Sequence, residues 1–115
     1  MIVDTHVHVY PPKIRENWKE IAEKENYFGT LVRGAAHKWG TAEEVLAAME
    51  EDGVEQSWIC GFAFSDIELC RICNDYVIEA ACSSNGRLKA LIVVPPLARG
   101  MEDEIARCAK SGAIG

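Results

Sequence analysis

Apolar residues gather in three short runs, and between them recur every three to four positions. Ile2 to Val9 is rich in β-branched residues and predicts a strand, ended by Pro11-Pro12. Lys13 to Lys24 is polar but carries Ile14, Trp18 and Ile21 at helical spacing, which predicts a short amphipathic helix. Asn26 to Gly40 holds three glycines and no period, and reads as a loop. Thr41 and Glu44 fit a capping box at the start of a helix with Val45, Leu46 and Met49 on its apolar stripe and Gly53 as its stop. Val54 to Phe64 reads as a buried strand. Ser65 and Glu68 fit a second capping box, before a helix with Leu69, Ile72, Cys73, Tyr76, Val77 and Ala80 on one face and Asn85-Gly86 at its end. Leu88 to Val94 is almost continuously apolar, as in a strand covered on both faces, and Pro95-Pro96 ends it. Met101 to Lys110 predicts another helix, and Ala113-Ile114-Gly115 the start of a further strand.

Strands alternating with helices imply an α/β fold with a parallel sheet, barrel or open. No linker or internal repeat divides the chain, so residues 1–115 are expected to form a single domain. The 115 residues carry 12 Lys plus Arg and 18 Asp plus Glu, a formal charge of −6. That balance argues against a nucleic-acid partner, because phosphate backbones repel it. No stretch reaches the roughly 18 apolar residues of a membrane span. Five cysteines, an odd number, without a preceding signal peptide suggest free thiols and a cytoplasmic location.

The first strand carries the chemistry. Side chains alternate along a strand, so Asp4, His6 and His8 are expected on one face and Val3, Thr5, Val7 and Val9 on the other. The histidines fall at the strand's C-terminal end, where parallel α/β folds gather their active sites. Two imidazoles one strand-pitch apart can hold one metal ion, with Asp4 as a buttress or hydrogen-bond partner behind them.

The opening MIVDTHVHVYPPKI resembles the start of the amidohydrolase superfamily. GVEQSWICGF, CNDYVIEA and GRLKALIVVPP are similar to later stretches of its amidohydrolase-related branch, which includes aminocarboxymuconate-semialdehyde-type decarboxylases. The resemblance implies a (β/α)8 TIM barrel with a divalent metal at the C-terminal face of its strands, most commonly zinc, with manganese or magnesium as alternatives. It implies that His6 and His8 are the first two metal ligands. Hydrolysis of C–N or C–O bonds, non-oxidative decarboxylation or hydration of a small, carboxylate-bearing substrate would follow. The family draws its remaining ligands and its catalytic acid or base from later strands. A barrel of this type needs about 250 residues. The expectation is therefore an N-terminal part of the barrel, three to four βα units, with no catalytic residue beyond the metal ligands assigned. An incomplete barrel is expected to self-associate.

Arg33, His37, Lys38 and Trp39 lie where barrel enzymes place substrate loops, and could meet an anionic, planar substrate. The competing reading is a solvated loop with Trp39 as a hydrophobic anchor. Cys70 and Cys73 form a CxxC pair, but inside a helix with Cys73 on its apolar stripe, so core packing is expected. Asn74-Asp75 is expected to face solvent or to cap a neighbouring loop. Two other functions are open. TatD-type nucleases and PHP-type phosphoesterases also begin with H-x-H, and a non-catalytic α/β module could keep the motif while working by assembly.

Overall fold

The computed structural model describes residues 1–34 and 38–115. Among them are three parallel strands, β1 (Val3–His8), β2 (Gln56–Cys60) and β3 (Leu88–Ala90), in the order β1-β2-β3. Six helices accompany them: α1 (Pro12–Glu16), α2 (Trp18–Lys24), α3 (Asn26–Val32), α4 (Ala42–Asp52), α5 (Ile67–Ser83) and α6 (Met101–Lys110). The alternation of strand and helix, the parallel pairing and the unclosed sheet are those of the N-terminal portion of a (β/α)8 barrel. A fourth strand is begun. The Ile114 N–H donates to the Ala90 carbonyl and the Ile92 N–H to the Gly115 carbonyl, both at 2.9 Å, along the free edge of β3.

One face of the sheet is packed against helices. Val9, Ile59, Leu88 and Ala90 form a core with Ala42 and Met49 of α4, Val77 and Ile78 of α5 and Cys108 of α6. Neighbouring strand positions alternate away from this core. Trp58, Lys89 and Leu91 stay half-buried on the other face, which in a closed barrel is the interior.

Helix α4 follows its local signals, and the helices before it do not. The capping box at Thr41 is present, with the Glu44 N–H on Thr41 Oγ and the Thr41 N–H on the Glu44 carboxylate. Gly53 follows in the left-handed region at φ 69°, where a side chain would be strained. By contrast, the expected single helix over Lys13–Lys24 is two helices broken at Asn17, and the expected loop over Asn26–Gly40 contains α3. The reason lies in packing. A Cβ on Gly29 would stand 2.3 Å from the Ala22 carbonyl oxygen, so glycine, a poor helix former, is what lets α3 lie directly on the end of α2. Ile14, Ile21, Phe28 and Val32 then form a second core with Phe62, Phe64, Cys70 and Cys73. This helical excursion covers the exit of β2.

The strands are shorter than their apolar runs because side chains take over the backbone partners. The Val93 N–H, expected within the third strand, donates to Asn74 Oδ1 at 2.9 Å, and Asn74 Nδ2 donates back to the Val93 carbonyl at 3.0 Å. Asn74 thus caps the loop after β3 while fully buried; Asp75 beside it faces solvent and pairs with Arg107. The expected capping box at Ser65 does not form, and the helix starts one residue later. Asp66 is the N-cap, accepting from the Glu68 N–H at 2.8 Å. The Ser65 N–H and hydroxyl and the Asp66 N–H all converge on the buried carboxylate of Glu25, at 2.7–2.9 Å. That carboxylate ties the helical excursion to the positive end of α5.

All five cysteines are free. Cys70 and Cys73 are fully buried, and burial pushes their thiols up to about 11 and about 12. They are core residues with no redox poise. Among the described residues no helix is long and apolar enough to cross a membrane.

Candidate metal centre

The site is built where β1 and β2 end side by side. Val7 pairs with Ile59 and His8 with Cys60, so His8 and Cys60 point to the same side of the sheet. Below them the register slips. Asp4 pairs with Ser57 and Val7 with Ile59, so Thr5 and His6 together oppose the single Trp58. Such a bulge re-aims the side chains beside it. It also ends the strict alternation that would set Asp4 alongside both histidines. The Asp4 carboxylate instead accepts from the backbone N–H of His6 at 3.2 Å, bracing the irregular strand.

The imidazoles face each other. Nε2 of His6 lies 3.1 Å from Nε2 of His8, with ring centroids 5.0 Å apart. On its other side, Nδ1 of His8 lies 2.7 Å from the carbonyl oxygen of Gly61. A carbonyl only accepts, so His8 Nδ1 carries the proton. In the neutral ring this leaves His8 Nε2 with a lone pair aimed at His6. Two nitrogens in this position must share either a proton or a cation. At the usual Zn–N distance of about 2.0–2.1 Å, a separation of 3.1 Å corresponds to an N–metal–N angle of about 100°. The pair therefore fits a metal ion, and its outer hydrogen bond is of the kind that orients ligating histidines.

Cys60 lies beside the pair. Atoms of His6, His8 and Cys60 that could ligate an ion all lie within 4.8 Å of one another, and the histidines are exposed while the cysteine is buried. Cys60 Sγ stands 3.7 Å from His8 Nδ1. Burial pushes its thiol up. Phe62, 6.4 Å from the His8 ring, follows Gly61 and stacks on the exposed Tyr27 at 5.8 Å.

The other residues singled out in the sequence are placed elsewhere. Arg33 donates to the Ala22 carbonyl at 3.0 Å, closing the end of α2. Trp39 packs edge-on to Tyr10 and against Trp18 and Phe28, as a hydrophobic anchor does. Lys38 is exposed beside Arg15 and Glu44 in a groove that includes neither histidine. His37 lies outside the described residues. Cys60 and Gly61 were not evident from the sequence, since only the parallel register of β1 and β2 sets them against His8. The strand predicted over Val54–Phe64 put Cys60 in its interior, so no local signal marked it; only the observed end of β2 at Cys60 does.

No protein-family model matches the chain, and no curated protein matches it in sequence. Solved structures do match its fold. It superposes on a probable 2-pyrone-4,6-dicarboxylic acid hydrolase from Acinetobacter baumannii, with citric acid bound, at a TM-score of 0.58 and 16% identity, over 99% of this chain and 36% of that one. A 4-oxalomesaconate hydratase from Rhodopseudomonas palustris matches at a TM-score of 0.62 and 20% identity, over 96% of this chain and 39% of that one. The chain thus spans under two-fifths of the length of either structure.

Proposed function

We propose that the chain is the metal-binding N-terminal part of a metal-dependent hydrolase or lyase, of the amidohydrolase type, acting on a small carboxylate-bearing substrate. The observation that carries this reading is the His6–His8 pair, with Nε2 atoms 3.1 Å apart and His8 Nδ1 anchored on the Gly61 carbonyl. The H-x-H opening and the fold favour the same class. Both neighbours named above carry names of compounds bearing carboxylates, which supports an anionic substrate. The net charge of −6 disfavours the nuclease alternative.

His6 and His8 would hold the ion through their Nε2 lone pairs, and the Gly61 carbonyl would fix the tautomer of His8. A divalent metal at such a site supplies Lewis acidity toward a carbonyl and acidifies a bound water. Phe62 stands 6.4 Å from the His8 ring, and Asp4 braces the bulge through the His6 N–H. Zinc titrated by calorimetry should bind the chain with an enthalpy signal that His6→Ala/His8→Ala loses. Equal binding by both proteins would remove the assignment.

A further inference from the structure

We infer that Cys60 is a third metal ligand, and that its sulfur makes the centre selective for zinc-like ions over magnesium and manganese. The inference rests on the metal-binding reading of His6 and His8 and goes beyond it in donor set and metal class. Cys60 is His8's register partner on β2 and faces the same side of the sheet. Cys60 is buried, with 7% of the residue exposed, yet it clusters with the two imidazoles as a possible ligand group. His8 Nδ1, 3.7 Å from the Cys60 sulfur, already spends its proton on Gly61. The sulfur's contact with His8 Nδ1, at 3.7 Å, is a weak one, and the sulfur lies beside a pair of nitrogen donors.

Donor chemistry then decides the ion. Thiolate and imidazole suit zinc, cobalt and related ions, whereas magnesium and manganese prefer carboxylate, carbonyl and water oxygens. On binding, the Cys60 S–H bond breaks, its proton passes to solvent, and a sulfur–metal bond forms in its place. No electron transfer is involved. The His6 and His8 nitrogens enter as neutral donors, so one proton is released per ion.

Cobalt(II) is the probe, because a thiolate ligand gives it a near-ultraviolet charge-transfer band that nitrogen ligands do not. The chain is used with Cys82→Ser throughout, removing the exposed cysteine from competition. The cobalt-saturated chain should show the thiolate band. Cys60→Ser should lose the band and bind zinc at least ~10-fold more weakly, since even residues behind the ligands cost that much. Excess magnesium or manganese should leave the band in place. A saturated parent without the band overturns the inference whatever the variant does, as does an unchanged spectrum in Cys60→Ser or displacement of cobalt by magnesium. If His6→Ala/His8→Ala still abolishes binding in those cases, the two-histidine reading stands and only the sulfur is removed. If the parent binds no cobalt, both fail.

Discussion

At the scale of single residues, the site depends on an absence. A Cβ on Gly61 would lie 2.4 Å from Cys73 Cβ on α5, a separation that real side chains do not reach. The close approach of α5 to the exit of β2 holds Gly61 in place, and Gly61's carbonyl orients His8 at 2.7 Å. Gly61→Ala must push the segment away from α5 and move that carbonyl. The expected outcome is a loss of about 1–3 kcal/mol in urea unfolding, the usual cost of overpacking, together with weaker zinc binding. Gly40→Ala is the control, since nothing lies within 4 Å of the added carbon and it should leave both unchanged. A Gly61→Ala chain with unaltered stability and zinc affinity would mean that α5 does not hold the carbonyl in position. The histidines themselves were legible in the sequence because strand period and position need no tertiary information. Cys60 and Gly61 were not, because their partner His8 is 52 and 53 residues away.

Among the elements, those stabilised by their own residues were readable and those stabilised by neighbours were not. The α4 cap and the whole of α6 follow from local signals. Helix α3 does not, because its glycine is explained only by the Ala22 carbonyl beneath it. The ends of β2 and β3 were overextended for the same reason: hydrophobicity continues, while the backbone partners pass to His8 and Asn74. The junction of α5 and α6 gives a pH prediction. Glu104 is 1% exposed, and Arg107, Asn74 and Cys108 surround its carboxylate within 3.2 Å. The hydrogen bonds from Arg107, with those from Asn74 and Cys108, hold it down at about 2 against an ordinary 4.5. A depressed carboxylate stabilises the fold fully above its unfolded pKa, and the contribution fades as pH falls through the folded one. The window is therefore pH 4.5 to about 2, and the stabilisation at neutral pH is of order 3 kcal/mol. Denaturant midpoints measured across that window should fall for the parent chain. Glu104→Gln should start lower at pH 7 and lose less on acidification. Parallel curves for the two proteins would show that another group governs the acid response.

The whole molecule is a slab, 39 × 35 × 19 Å, with helices on one face of the sheet. Its radius of gyration of 14.1 Å exceeds the roughly 13.4 Å expected for a compact domain of this length, as a two-layer piece of a barrel would. A closed barrel has no strand edges and no wet interior face. Here β1 keeps one edge open, with Met1 and Ile2 exposed beside it, and Trp58 and Leu91 are half-buried on the face opposite the helices. Apolar surface contributes roughly 25 cal/mol per Å² when covered, so a few such side chains amount to a sizeable share of the ~5–15 kcal/mol that stabilises a domain. A second copy offers the same strand edge and the same apolar face, and could cover both at once. The 115-residue chain, studied by itself, should therefore elute as a dimer or larger species in size-exclusion chromatography with light scattering, dissociating on dilution. Trp58→Lys/Leu91→Lys, which places charge on the inner face while leaving the helix-packed core alone, should shift it toward monomer. A concentration-independent monomer with a sharp cooperative thermal transition would show that one face of helices is enough to stabilise this open sheet.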